Sequence, residues 1–289
     1  MISADKNNLD LVRVKAQTLI DSAPWIRKFQ GQILVIKFGG NAMVDEALQQ
    51  AFAEDIAYLQ LVGIKPVVVH GGGPQISAQL AAAGIESRFV DGLRVTAAES
   101  IGIIRDTLRE EISVPLAKMI ETAGANTLVL NGESEGLFTA SITREDLGLV
   151  GVVTSVEVSV ISKAIAQELV PVISTVGPDA SGQLLNVNAD LAASSLAVAL
   201  GAAKLVVLTD VAGLYSDWPN KDSLVSEITL GELEELLPDL ESGMIPKMGA
   251  CLAAVSEGVP QAHIIDGRIP HSVLLEIFTP SGIGTLVLP

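Results

Sequence analysis

Ile33-Leu-Val-Ile-Lys-Phe-Gly-Gly40 and Lys65-Pro-Val-Val-Val-His-Gly-Gly-Gly-Pro74 are the stretches whose reading decides the fold. Each is a short, continuous apolar run, rich in β-branched residues, that stops at glycines. Runs of that length and composition read as strands buried on both faces. A helical pattern follows each one, Asp45 to Val62 after the first and Pro74 to Ala83 after the second. Pro74 suits the first turn of a helix, where its missing N–H costs nothing. Two successive strand–glycine–helix units predict an α/β fold: an open, mainly parallel sheet sandwiched by helices.

The pattern extends in both directions. Upstream, Leu9, Val12, Ala16, Leu19, Ala23 and Ile26 recur at helical spacing, which predicts an amphipathic helix over 9–29 with a bend or break at Pro24. It precedes the first core strand, so its apolar stripe serves either its own subunit or a partner. Downstream, Ile85 to Thr96 reads as a hairpin around Asp91-Gly92, and Ala97 to Thr122 as a helix bent at Pro115. Thr127 to Leu130 and Val170 to Ser174 are further strands, and Gly136 to Glu157 alternates as antiparallel strands do. Asp190 to Leu200 is a helix of small residues, and Lys204-Leu-Val-Val-Leu-Thr-Asp210 opens a second group of elements. The expected division is an N-terminal helix (1–30), a first lobe (31–200) and a second lobe (201–289), with the boundary near Gly201.

Composition narrows the classes of function. The chain has 289 residues, 49% of them hydrophobic and only 3% aromatic, so a large aliphatic core is available. The formal charge of -16 repels nucleic acid and anionic membrane, and neither is expected as a partner. It also repels anionic substrates at long range, so a phosphate site must rest on local devices. The single cysteine, Cys251, lies in an apolar helical run and is expected as a core thiol of an intracellular protein. His70, His263 and His271 lack metal-ligand spacing, so no protein-held metal is expected. Charged residues interrupt the N-terminus, which does not read as a signal peptide. The longest apolar stretch, Leu196 to Leu208, is broken by Lys204 and too short to span a bilayer. A soluble, cytoplasmic protein is the expectation.

Several residues have the chemistry for an anion site. Lys37 with Gly39 and Gly40, and the triplet Gly71, Gly72 and Gly73, lie where strands hand over to helices. Glycines there let backbone N–H groups face an anion, and the helix N-terminus adds partial positive charge. Strand C-termini are also where open α/β sheets bind ligands. Neither segment is a P-loop or a dinucleotide fingerprint. Arg94 on the hairpin could clamp a carboxylate or lie on the surface. Asn186 could donate to a ligand, while Asp190 could organise lysines or simply cap a helix. Lys247 sits in an apolar segment and needs a partner or an anionic ligand. Thr209 to Tyr215 could line a nucleotide pocket or be a plain strand end.

Together these segments resemble the amino acid kinase family. The matching pieces are Lys37-Phe-Gly-Gly-Asn-Ala-Met43, His70-Gly-Gly-Gly-Pro-Gln-Ile76, Phe89-Val-Asp-Gly-Leu-Arg-Val-Thr96, Asn186-Val-Asn-Ala-Asp190, Thr209-Asp-Val-Ala-Gly213, Gly243-Met-Ile-Pro-Lys-Met248 and Leu274 to Thr285. They run in the family's order over nearly the whole chain. Within the family, Phe89 to Arg94 is similar to members that act on N-acetyl-L-glutamate.

The resemblance implies phosphorylation of the N-acetyl-L-glutamate γ-carboxylate by ATP with Mg2+, in arginine biosynthesis. Lys37 and Lys247 would neutralise the transferred phosphoryl group, and Asp190 would fix both lysines. Gly39, Gly40 and Gly71 would hold phosphate; Gly72, Gly73, Arg94 and Asn186 would hold the acceptor. Asp210, Val211, Ala212, Gly213, Leu214 and Tyr215 would line the nucleotide site. Arginine-sensitive members carry an N-terminal helix and a C-terminal segment like His271 to Thr285. The resemblance therefore implies inhibition by arginine at Glu276, Gly282 and His271, in a homo-oligomer, a hexamer built as a trimer of dimers. The chemistry agrees, because a carboxylate with an ordinary pKa of about 4.3 is already ionised and needs no general base. A non-catalytic ligand sensor on the same scaffold, or a kinase for another amino-acid carboxylate, are the competing readings.

Overall fold

The computed structural model describes residues 9–279 and 282–289. Residues 1–8 of the expected N-terminal region, and Pro280 and Ser281 of the C-terminal segment, lie outside the described residues. An eight-stranded sheet runs through the protein. From edge to edge its strands are Glu227–Thr229, Thr285–Leu288, Ala262–Asp266, Lys204–Thr209, Ile33–Phe38, Lys65–His70, Leu169–Ser174 and Asn126–Asn131. Every neighbouring pair is parallel except Ala262–Asp266 with Thr285–Leu288. Ile33–Phe38 pairs with Lys204–Thr209, so the sheet is continuous across the expected lobe boundary. A second, four-stranded sheet contains Phe138–Ile142, Val150–Val156, Leu184–Val187 and Val176–Pro178.

The period of two along the central strands divides the core between the two faces. Leu34, Ile36, Phe38 and Val68 join one apolar cluster, and Val35, Val67 and Val69 join the other. All seven are almost fully buried, each such side chain stabilising the fold by about 1.5–3 kcal/mol. The same alternation places Lys37 on the Val35 face. There the helices Ala189–Ala199 and Ile245–Ser256 contribute Ala192, Leu196, Met248 and Cys251. His70 falls on the opposite face, beside Leu108 and Ile112.

Two prolines lie within helical stretches. The helix Leu9–Phe29 continues through Pro24 without a break. The bond lost there would have used the Ile20 carbonyl, and Ile20 is exposed, so water can replace it. Ahead of Pro115, where a bend is expected, a π-helical segment, Thr107–Ser113, lies between the helices Ser100–Asp106 and Val114–Thr122. A π turn bonds i to i−5, so the register slips just before the residue with no N–H to give. The hairpin Phe89–Val90 with Leu93–Arg94 forms as expected. Asp91 (φ 51°) and Gly92 (φ 77°) both take the left-handed conformation that a tight two-residue turn requires. Among the described residues no helix is long and apolar enough to cross a membrane.

Candidate active site

A cavity of about 310 Å³ opens at the C-terminal ends of the central strands. Lys37, Gly39, Gly40, Gly71, Gly72, Gly73, Arg94, Asn186, Asp190 and Asp210 all line it. Both glycine turns thus face one cleft. Two helix N-termini reach it, at Gly73 and Ala189, and bring the positive ends of their dipoles to the cavity wall.

The charge arrangement is specific. Asp190 Oδ1 lies 3.0 Å from Lys37 Nζ, and Asp190 Oδ2 lies 3.4 Å from Lys247 Nζ. Asp190 is not the cap of its helix; the Asn188 side chain accepts from the N–H groups of Asp190 and Leu191 and leaves the Asp190 carboxylate for the lysines. Burial pushes the Asp190 carboxyl up, but the Lys37 and Lys247 charges outweigh it and hold the group below its ordinary value. Lys247 sits in the first turn of its helix, where a cation opposes the helix dipole, so Asp190 compensates an otherwise unfavourable placement.

The glycines make room for this arrangement. A methyl at Gly39 would collide with the Lys37 ammonium, so the side chain of Lys37 folds back over its own turn. Gly40 has φ +76°, and a methyl there would strike the Asp210 carboxylate, which accepts from the Asn41 N–H at 2.6 Å. Asp210 therefore ties the second strand group to the Lys37 turn. Asn41 was not singled out from sequence; its place directly after Gly39-Gly40 was the available signal.

Arg94 is buried rather than on the surface. Its guanidinium donates to Ser87 Oγ (2.7 Å), Gly73 O (2.9 Å) and Ser77 Oγ (2.9 Å), and stacks 4.5 Å above the Phe89 ring. Asn186 donates to Thr96 Oγ1 at 3.1 Å. The hairpin tip reaches across the cleft: a methyl at Gly92 would lie 2.8 Å from Ser242 O and 3.3 Å from Pro246 Cγ, just before Lys247.

Val211, Leu214 and Tyr215 line a separate apolar cavity of about 70 Å³ with Trp218, Leu240, Glu241 and Met244. It opens one turn before Lys247. Ala212 and Gly213 do not line it; at Gly213 the chain passes so close to Thr285 Oγ1 that no side chain fits. Among the described residues no cluster of three or more metal-ligating side chains exists. Asp190 is held by two lysines, which leaves Asp210 as the other carboxylate of the cleft. That donor set fits a hard cation brought in on nucleotide phosphates and not a protein cage.

The C-terminal residues divide between two places. Glu276 is buried, accepting from His263 Nδ1 at 2.5 Å and from the Ile283 N–H at 3.0 Å, with Lys204 Nζ 3.7 Å away. Glu276 and Gly282 share a cavity of about 130 Å³ with Trp25, Lys28, Lys204 and His263. Burial pushes Lys204 down to about 8, against the Glu276 charge, and Lys204 also lies 5.4 Å from the centre of the Phe29 ring. His271 is elsewhere: its Nδ1 meets Asp55 Oδ1 at 2.6 Å. The sequence grouping of His271 with Glu276 and Gly282 therefore does not correspond to one cavity. Lys204 lines this cavity and was not singled out from sequence; its isolation within an apolar strand was the available signal.

A continuous parallel sheet with glycine turns and a lysine–carboxylate–lysine bridge at its strand C-termini defines an α/β protein with a cleft suited to anions. The profile of the Amino acid kinase family matches residues 32–266, and the chain belongs to that family. It is 54% identical to the acetylglutamate kinase of Arthrobacter sp. (strain FB24), over 95% of this chain and 93% of the relative. It is 56% identical to the acetylglutamate kinase of Leifsonia xyli subsp. xyli (strain CTCB07), over 95% and 94%. Among solved structures, the N-acetylglutamate synthase of Neisseria gonorrhoeae complexed with coenzyme A and N-acetyl-glutamate superposes with TM-score 0.83 at 25% identity. It covers 95% of this chain, which spans 63% of the synthase.

Proposed function

We propose that this protein transfers the γ-phosphoryl group of ATP to the γ-carboxylate of N-acetyl-L-glutamate, giving N-acetylglutamyl 5-phosphate and ADP, in arginine biosynthesis. The observation that carries it is the Lys37–Asp190–Lys247 bridge, which holds two ammonium groups beside a cleft lined by Gly39, Gly40 and Gly71 to Gly73. The two kinase relatives of over 50% identity support the choice of acceptor.

The acceptor needs positioning more than activation. Its γ-carboxylate is ionised at neutral pH, with an ordinary pKa of about 4.3, so no proton has to be removed. A carboxylate oxygen forms the new bond to the γ-phosphorus while the bond to the β-phosphate oxygen breaks, and ADP leaves with that electron pair. Lys37 and Lys247 meet the charge that spreads over the transferring group, and Asp190 keeps both ammoniums in place through the step. The turns at Gly39, Gly40 and Gly71 give the phosphates room against the backbone, with the Gly71 N–H itself held by Phe38 O. Gly72, Gly73, Arg94 and Asn186 hold the acceptor, the guanidinium taking a carboxylate. Val211, Leu214 and Tyr215 receive the nucleotide base. Asp210 is the carboxylate that would help hold Mg2+ arriving on the phosphates, and the ion would supply charge neutralisation there. In this reading residues 31–200 serve the acceptor and 201–289 the nucleotide.

Arginine regulation belongs to the same proposal. The Glu276 cavity joins the N-terminal helix, through Trp25 and Lys28, to the nucleotide half of the sheet. Glu276 suits a guanidinium or ammonium, and His263 Nε2 is buried there without a partner. Leu9, Val12, Val14, Leu19 and Ile20 leave an apolar stripe exposed on residues 9–21, which suits packing against another copy in a hexamer. The test is ADP release from ATP that depends on N-acetyl-L-glutamate, with hydroxylamine trapping of the acyl phosphate. Turnover with aspartate or carbamate and none with N-acetyl-L-glutamate would reassign the acceptor.

A further inference from the structure

His70 is fully buried at the end of the strand Lys65–His70, on the face opposite the Lys37 ammonium, and the transfer chemistry above does not use it. Its ring bridges two elements of the site. Nδ1 lies 2.8 Å from the carbonyl oxygen of Gly71, and Nε2 lies 2.6 Å from Ser113 Oγ, at the end of the π-helical segment Thr107–Ser113.

Proton counting assigns the tautomer. Gly71 O can only accept, so Nδ1 carries the hydrogen. Burial, with a smaller contribution from the Lys37 charge, pushes the ring down to about 4, so at neutral pH Nε2 is bare and accepts. The Ser113 hydroxyl has two acceptors in reach, Nε2 at 2.6 Å and Leu108 O at 3.0 Å, and the bare ring nitrogen takes its proton. The relay then runs from Ser113 Oγ–H to Nε2, and from Nδ1–H to Gly71 O.

The Gly71–Gly72 peptide is planar and trans, so its N–H points away from its C=O. Holding Gly71 O against the ring directs the Gly72 N–H to the other side. Gly72 lines the cleft, and among the described residues its N–H has no protein partner. The same π-helical segment closes the turn from behind: a methyl at Gly72 would collide with Ile112 Cδ1 and Leu108 Cδ2.

We infer that His70, oriented by Ser113, is a positioning residue that sets the direction of the Gly72 N–H toward the reacting anion. This rests on the proposed phosphoryl transfer for its kinetic consequence, and on geometry alone for its tautomer. The two are tested separately. With 15N-histidine-labelled protein, long-range proton–nitrogen correlation spectra assign His70 among the three histidines of the chain by loss of its signal in His70→Asn. The expected result at pH 7 is a neutral ring protonated at Nδ1. An Nε2–H tautomer or an imidazolium would overturn the inference even if the enzyme turns over normally. In kinetics, His70→Phe should lower kcat by about 100-fold, the usual cost of a displaced oxyanion donor, with the ATP KM within threefold. His70→Asn, whose amide nitrogen can occupy the Nδ1 position, should restore kcat to within about tenfold of the natural enzyme. Equal losses in both variants, each with a cooperative unfolding transition, would reduce His70 to a packing residue. Wild-type protein inactive on N-acetyl-L-glutamate would refute the substrate reading and leave the tautomer result to decide the geometry.

Discussion

Lys37 Nζ lies 3.0 Å from Asp190 Oδ1, with the two side chains only 7% and 5% exposed. A contact so little hydrated is held by geometry, and breaking it by removing one partner leaves a buried charge uncompensated. Lys247, on the other carboxylate oxygen, is 24% exposed and correspondingly less enclosed. The carboxylate thus joins an enclosed lysine to a partly exposed one.

Lys37→Ala and Lys247→Ala should each lower kcat by about 100- to 1,000-fold while ATP binding weakens far less, because each ammonium meets charge that grows in the transition state. Asp190→Asn should match the weaker of the two in rate and leave both lysines undirected. Steady-state kinetics with isothermal titration of ATP checks the split between rate and binding.

Arg94→Ala should instead raise the apparent KM for N-acetyl-L-glutamate, with kcat changed less than the KM. Arg94→Lys should recover little, since a lysine cannot reproduce the planar set of bonds to Ser87, Ser77 and Gly73 O or the stacking on Phe89. Varying acceptor concentration at saturating ATP measures both constants.

Two buried groups titrate in opposite directions. The His70 ring, ordinarily near 6.5, protonates in the folded protein only near about 4. Its contribution to stability is full above about 6.5 and is lost as pH falls toward about 4, by roughly 3 kcal/mol. Asp55 is the reverse: burial, partly offset by the His271 hydrogen bond, raises its carboxyl to about 6. Its contribution is full below its ordinary 3.8 and is lost as pH rises through about 6, again by roughly 3 kcal/mol. Urea unfolding at pH 4.5 and 7.5 separates them: His70→Phe should lose less stability than the wild type on acidification, and Asp55→Asn should gain less.

Truncation of the N-terminal helix must respect its two halves. Trp25, Ile26 and Phe29 pack against the main core, whereas Leu9 to Ile20 present exposed apolar residues. Removing residues 1–21 should therefore leave catalysis within about threefold, reduce the oligomer measured by sedimentation, and abolish inhibition by arginine. Lys204→Met should remove arginine inhibition without changing the oligomer, because Lys204 contacts Glu276 and Phe29 and is remote from the exposed stripe. Unchanged inhibition in both variants would remove arginine from the Glu276 cavity.

The strands and their glycine turns were legible because the signal is local: an apolar run, then glycine, then a helical period. Lys37, Asp190 and Lys247 were legible as a set only through the resemblance, since 153 and 57 positions separate successive members and no periodicity links them. That the helix runs unbroken through Pro24 was not legible, because a proline penalty depends on whether the orphaned carbonyl can reach water, which only the exposure of Ile20 reveals. The resemblance groups His271 with Glu276, yet at the left-handed turn of His271 (φ 58°) its ring meets Asp55 on another helix. His263 and Lys204 reach Glu276 from adjacent strands, a pairing set by sheet order rather than by spacing.

The most direct test of the proposed chemistry is single-enzyme turnover of ATP with N-acetyl-L-glutamate, followed by hydroxamate formation and by 31P NMR. The expected result is one acyl phosphate and one ADP per ATP consumed, strictly dependent on N-acetyl-L-glutamate and reduced by about 100-fold or more in Lys37→Ala. ATP consumption that is independent of the acceptor, or equal in Lys37→Ala and wild type, would contradict it.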